Sequence, residues 1–189
     1  MTQANYELLE TFEKNSSELY WLAFLLTGNA DRGVNAFDKA LDFLGDENPA
    51  FDGFINEWAR KLVIVQALGA IKQELRASKK STARLALEEG QPAAGEWSRL
   101  TAPRSEIERD AFEQAVIAID ALPRCAMLLT IFERMTVAAA AALLNVDEAL
   151  TRVAQRMGIV QLTRNLSENG GRNTRPEPRC NPVPVLSLS

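Results

Sequence analysis

Apolar residues return at every third or fourth position in successive stretches of this chain, and this period constrains the fold more than any other feature. Within residues 16–28, one helix face carries Leu19, Leu22, Ala23 and Leu26. Ser16 or Ser17 can cap the start of this helix, and Gly28 can end it. After a short turn the period resumes at Val34, Phe37, Ala40, Leu41 and Leu44. The sequence therefore predicts two short helices that form a hairpin.

A longer run from Phe54 to about Lys80 keeps the same period. Its apolar stripe consists of Ile55, Trp58, Ala59, Leu62, Val65, Leu68 and Ile71. A helix of this length can close a three-helix core over the hairpin. We therefore predict a first helical domain over residues 1–87.

Gly, Pro and Ser interrupt every possible helical period between residues 88 and 105, and we place a linker there. The period returns from Glu106 to Ala121, and Pro123 can start a further helix. The second predicted domain covers 106–166. Residues 167–189 are rich in Gly, Pro and Asn and predict a disordered tail. The expected fold class is all-α, with two small helical domains joined by a linker.

The most specific local pattern is a helix-turn-helix over residues 136–157. Thr136 can cap an alanine-rich helix, Asn145 tolerates the left-handed turn, and Asp147 can cap the second helix. We expect Gly158 to interrupt the end of that second helix. The pattern turns five side chains outward, namely Glu148, Thr151, Arg152, Gln155 and Arg156. An ordinary helical hairpin fits this pattern equally well.

The chemistry that catalysis usually requires is missing from the sequence. There is no histidine, and the common phosphate-binding and nucleophile motifs are absent. Cys125 and Cys180 fit neither a disulfide framework nor a metal cluster, so we interpret both as free thiols. We therefore expect a protein that is not an enzyme and that has no cofactor, no metal and no small-molecule substrate.

Charge is distributed unevenly along the chain, whose net charge is −4. Residues 1–50 are acidic, whereas residues 60–84 carry Glu74 against seven cations: Arg60, Lys61, Lys72, Arg76, Lys79, Lys80 and Arg84. Such a cationic face suits a phosphate backbone, although a solvated helix face explains it as well. The sequence has neither a membrane-length apolar run nor a signal-like start, so we expect no membrane partner and a cytoplasmic location.

From about Leu19 to Leu162, the order of segments resembles the extracytoplasmic-function group of the sigma-70 family. Three blocks carry this resemblance, in the family's order: LYWLAFLLTGNADRGVNAFDKAL, FDGFINEWARKLVIV, and LPRCAMLLTIFERM followed by the predicted helix-turn-helix. The resemblance implies that the first domain docks on core RNA polymerase and melts promoter DNA. It implies that the second domain reads an upstream promoter element.

Together with the cationic run and the outward face of the predicted helix-turn-helix, the resemblance indicates which residues would make these contacts. Polymerase would be bound by Asn35, Phe37, Asp38 and Leu41. Promoter DNA would be bound by Arg60, Lys61, Lys72, Arg76, Thr151, Arg152, Gln155 and Arg156.

The chain departs from the family pattern at several of these functional positions. Val34 and Asn35 replace the family's acidic pair in the docking motif, and Lys61, Val65 and Leu68 replace its polar residues in the melting segment. The alternative is therefore a sigma-like protein that has lost promoter recognition. Such a protein would act as an interaction module, regulating another sigma factor or an anti-sigma protein.

Overall fold

The computed structural model describes residues 3–46, 55–88 and 106–172. Every regular element in these ranges is helical, which confirms the all-α fold class for this part of the chain. The elements are α1 (Gln3–Thr27), α2 (Ala30–Asp46), α3 (Ile55–Ala70), α4 (Lys72–Glu88), α5 (Glu106–Ile117), α6 (Ala121–Met127), a π-helical turn (Leu128–Phe132), α7 (Val137–Leu144) and α8 (Glu148–Arg172). Within these ranges, no helix combines the length and apolar character needed to cross a membrane.

The hairpin of α1 and α2 turns where the sequence predicts. Gly28 ends α1 with a φ of +67°, and its N–H donates to the carbonyl of Phe24 at 2.7 Å. The predicted start at Ser16 or Ser17 is wrong, because α1 begins at Gln3. Residues 7–14 are mostly Glu, Leu and Lys, which favour helix, and no glycine or proline breaks the helix ahead of Ser16.

The predicted long helix is present as α3 and α4, separated only at Ile71. The hydrogen-bond ladder continues past this residue, because Leu75 N–H donates to the carbonyl of Ile71 at 2.9 Å. Most of the expected apolar stripe is buried, but Val65 is 47% exposed. Val65 therefore does not belong to the core, and the prediction for this residue is wrong.

The larger of two buried apolar clusters runs through both predicted domains. It includes Leu26 of α1, Ile71 beside α4, Leu122 of α6 and Leu162 of α8. The smaller cluster joins α1, α2 and α3 around Leu19. In this arrangement, the segments before and after the predicted linker share one core. The linker itself, from residue 89 to 105, lies outside the described residues.

Polar contacts at the start of α6 join the two segments as well. Ser78 Oγ of α4 accepts from the N–H of Leu122 at 3.0 Å, which caps the first turn of α6 from another helix. The buried guanidinium of Arg124 donates to the carbonyls of Leu26 at 3.3 Å and Ile119 at 3.0 Å. These carbonyls lie at helix ends, where a cation is favoured.

Cys125 is buried beside these contacts and is a free thiol, as expected. Burial raises its pKa to about 12. A thiol with so high a pKa is a poor nucleophile, because the thiolate is the reactive form. Cys180 lies outside the described residues.

Helix α8 is longer than predicted and continues through Gly158 to Arg172. A Cβ at position 158 would lie 2.4 Å from the carbonyl oxygen of Pro123. Glycine at this position therefore lets α8 cross α6 at close range instead of interrupting the helix. The disordered tail predicted from residue 167 is helical up to Arg172, and residues 173–189 lie outside the described residues.

Candidate nucleic-acid interface

The turn between α7 and α8 has the caps that the sequence predicts. Thr136 Oγ1 accepts from the N–H of Ala139 at 3.2 Å. Asn145 adopts the left-handed conformation with φ 52° and ψ 50°. Asp147 Oδ1 accepts from the N–H of Leu150 at 2.7 Å, and Val146 packs against the larger core. Residues 145–147 therefore hold the start of α8 in a fixed position relative to α7.

The first turns of α8, residues 148–156, form what we call the reading end. Arg152 is exposed and pairs with exposed Glu148 at 2.9 Å, while Gln155 and Arg156 are half-buried. The outward placement predicted for Thr151 is wrong, because its side chain is 0% exposed. Its hydroxyl donates to the carbonyl of Asp147 at 2.9 Å. A threonine that satisfies its hydroxyl one turn back can be buried at low cost.

Lys72, Arg76 and Lys79 line one groove of about 630 Å³, which we call the basic groove. The other lining residues come from α3 (Val65, Leu68 and Gly69), from α4 (Leu75) and from the end of α7 (Ala142, Leu143, Leu144 and Asn145). None of the described lining residues is acidic. Lys79 Nζ donates to the carbonyl of Asn145 at 3.3 Å and so caps the end of α7. The groove can therefore attract an anion mainly through Lys72 and Arg76.

Arg60, which we predicted to bind DNA, lies outside the basic groove. Its guanidinium forms two hydrogen bonds with the carboxylate of Glu133, at 2.9 Å and 2.6 Å, and reaches Glu18 at 3.5 Å. The hydrogen bond with Glu133 raises the pKa of Arg60. Arg60 therefore joins α3 to the segment after the π-helical turn. Lys61 is exposed one helical turn before Val65 of the groove.

Helix α2 exposes only part of the predicted polymerase-binding set. Asn35 and Asp38 are exposed, whereas Phe37 and Leu41 are half-buried against the smaller core. Val34, which the periodicity placed on the apolar face of this helix, is 45% exposed, so that placement is wrong.

A second cleft of about 480 Å³ separates the reading end from the last turns of α4. Helix α4 contributes Ala83, Ala86 and Leu87. The turn and α8 contribute Asp147, Ala149, Leu150, Arg152, Val153 and Arg156. The reading end therefore faces another helix along one side.

Comparison with models of known protein families finds no match for this chain, and comparison with curated proteins finds none either.

Proposed function

We propose that this chain is a divergent sigma-factor-like transcription initiation protein that binds core RNA polymerase and promoter DNA in the cytoplasm. The order of the three sequence blocks supports the family assignment. The observation that carries the DNA proposal is the basic groove, where Lys72, Arg76 and Lys79 converge and no described lining residue is acidic. The groove adjoins Asn145, so it lies next to the turn that leads into the reading end.

Phosphate binding in the basic groove follows from counterion release. A cation that neutralises a DNA phosphate frees condensed counterions, and the resulting affinity falls as salt concentration rises. Lys72 and Arg76 in the groove and Arg152 and Arg156 at the reading end would neutralise about four phosphates, which gives a salt slope of about −3 to −4. The same reading end can present Gln155 and the two arginines to base edges in a major groove.

Polymerase would bind the exposed part of α2. The exposed side chains of Asn35 and Asp38 supply polar contacts, and Val34 adds apolar surface. Phe37 and Leu41 support this surface from below, because both pack against the smaller core.

A second function, an interaction module without promoter recognition, is favoured by the placement of the reading residues. Thr151 is buried, and Gln155 and Arg156 are half-buried. Among the four residues of α8 that we assigned to promoter DNA, only Arg152 is exposed. A protein of this kind would keep the helical framework and bind another transcription protein through α2.

The two functions differ in what purified protein binds. A sigma-like initiation protein co-purifies with core polymerase and binds duplex promoter fragments with the salt slope given above. Arg76→Ala should reduce the slope by about 1, because one phosphate contact is lost. Lys80→Ala is the matched control, since Lys80 is an exposed cation of α4 outside the groove lining. Polymerase binding without DNA binding would favour the interaction module, and loss of both would refute the proposal.

A further inference from the structure

A further cleft, of about 320 Å³, lies between the segments before and after the predicted linker, and we call it the aromatic cleft. Its apolar lining residues are Trp21, Leu22 and Leu25 of α1 together with Leu128 and Phe132 of the π-helical turn. Its polar lining residues are Ser17, Glu18, Arg60, Arg109 and Glu133. Small-molecule sites are concave, mostly apolar and roughly 300 to 1,000 Å³ in volume, so this cleft suits a small ligand.

The apolar side of the aromatic cleft is backed by packed rings. Phe112 of α5 is buried, and its ring centroid lies 6.0 Å from that of Trp21 and 5.6 Å from that of Phe132. The indole N–H of Trp21 donates to Glu113 Oε1 at 2.5 Å, which holds the indole ring in place. Part of this wall is a π-helical turn, a rare element that occurs frequently at functional sites. The cleft can therefore hold a flat apolar group.

One nitrogen of the Arg60 guanidinium is only weakly bonded. Nε and Nη2 donate to the carboxylate of Glu133, whereas Nη1 reaches only Glu18 Oε2, at 3.5 Å. The Glu18 side chain is 74% exposed, and an exposed ion pair of this length contributes little free energy. Because Glu18 can turn into solvent, an incoming carboxylate can take its place on Nη1.

Arg109 has unused donors as well. Its Nε donates to Glu113 Oε1 at 3.2 Å, and its guanidinium lies 5.0 Å from the centroid of the Trp21 ring. Neither Nη atom of Arg109 has a hydrogen-bond partner among the described residues. Arginine can bind a carboxylate through two parallel N–H donors.

The carboxylates around the aromatic cleft leave these donors open. Glu113 is bonded to Arg109 and Glu133 to Arg60, and only exposed Glu18 competes for Nη1. Three carboxylates surround two cations, so the cleft has no surplus of positive charge. Recognition of a ligand would therefore depend on directed hydrogen bonds, and the open positions are N–H donors that match an anionic head group.

We propose that the aromatic cleft binds a small carboxylic acid with a flat apolar body. The apolar body lies against Leu25, Leu128 and Phe132, and the carboxylate accepts hydrogen bonds from Arg60 and Arg109. The acid is bound and not transformed, and this inference goes beyond the proposed function because it requires neither DNA nor polymerase. The cleft joins α1 and α3 to α5 and the π-helical turn, so a bound acid would also stabilise the contact between these segments.

The test uses benzoate, phenylacetate and 3-phenylpropionate, each compared with its uncharged amide. The full chain, labelled with ¹⁵N, is titrated, and the indole N–H resonance of Trp21, assigned with Trp21→Phe, reports binding in the cleft. The indole N–H of Trp58, which packs against the smaller core, is the internal control. At least one acid should shift the Trp21 resonance. Its amide should bind on the order of tenfold more weakly, because hydrogen bonds to a charged group are the stronger ones.

Two variants should change the affinity for that acid in opposite directions. Arg109→Gln removes a charged donor and should weaken binding on the order of tenfold. Glu18→Gln removes the competing carboxylate and should tighten binding about threefold. The matched control is Arg164→Gln, because Arg164 pairs with a carboxylate four positions later, as Arg109 does, and lies outside the cleft.

The outcomes separate a carboxylate site from nonspecific binding. An acid that shifts the Trp21 resonance, is preferred to its amide and responds to both variants supports the proposal. Equal shifts of Trp58 and Trp21, equal affinity for acid and amide, or an equal loss with Arg164→Gln would overturn it. The absence of any shift with all three acids would overturn it too. Because no nucleic acid is present, these results are separate from the test of the proposed function.

Discussion

Two glycines within helices of this chain should respond to alanine with opposite signs. At Gly158, a Cβ would lie 2.4 Å from the carbonyl oxygen of Pro123 and 3.0 Å from Cβ of Met127. The backbone of Pro123 cannot rotate away, so α8 and α6 must separate. At Gly69, which is exposed on α3, a Cβ would meet no atom within 4 Å.

The magnitudes follow from two opposing contributions. Alanine in place of a helical glycine stabilises by about 0.5 to 1 kcal/mol, because the unfolded chain loses conformational freedom. Overpacking a close helix crossing costs about 1 to 3 kcal/mol. Gly69→Ala should therefore stabilise by about 0.5 to 1 kcal/mol, whereas Gly158→Ala should destabilise by about 1 to 2 kcal/mol.

Urea and thermal unfolding of the two variants, compared with the unchanged chain, measure this difference. One kcal/mol corresponds to about 2 to 4 °C in Tm for a chain of this size. The two variants should therefore move Tm in opposite directions. A neutral or stabilising Gly158→Ala would show that α8 does not cross α6 at the distance described, and the close-crossing argument would fail.

Three other predictions concern the caps and buried groups. Glu133→Gln should lower the free energy of unfolding, measured in urea, by about 1 kcal/mol, because it weakens the two-bond ion pair with half-exposed Arg60. An equal loss for Glu18→Gln, whose carboxylate lies 3.5 Å from the guanidinium of Arg60, would contradict this prediction. Asn145→Ala should lower the free energy of unfolding by about 1 kcal/mol, and Asn145→Gly should lower it less, because position 145 has a φ of 52° that glycine adopts without strain. Equal losses of Tm for the two variants would contradict the left-handed turn. Folding raises the pKa of Cys125 from 9.0 to about 12, so the free energy of unfolding should be highest below pH 9 and should fall as pH rises toward 12. Cys125→Ala should remove this part of the pH dependence from urea unfolding, and an unchanged pH dependence would contradict the prediction.

Local chemistry made the helix ends predictable. The caps at Thr136 and Asp147 and the left-handed residues Gly28 and Asn145 act within four positions of their own backbone. A single sequence contains all the information that such a contact requires. The turn between α7 and α8 was therefore predicted residue by residue, although the pattern left open whether it reads DNA.

Contacts between distant segments set the features that the sequence did not reveal. Thr151 was predicted to face outward because the spacing of the apolar residues placed Leu150 and Met157 inward, but the phase of α8 is fixed by burial of Ala154 and by the close crossing at Gly158. Arg60 was grouped with the other cations by proximity along the chain. Its partner Glu133 is 73 positions away, so no local pattern could have paired them.

The shared core also determines how a sigma-like protein of this build would meet DNA. The basic groove and the cleft at the reading end both adjoin α4, so the free protein offers one contiguous surface to a duplex. Reaching two separate promoter elements would require the segments before and after the predicted linker to part, which would expose side chains such as Ile71 and Leu122. Each large apolar side chain exposed costs about 1.5 to 3 kcal/mol, and several would be exposed together. DNA contacts through about four cations cannot be expected to offset that cost, so a partner with its own binding surface, as we propose for polymerase, would have to supply the remaining free energy.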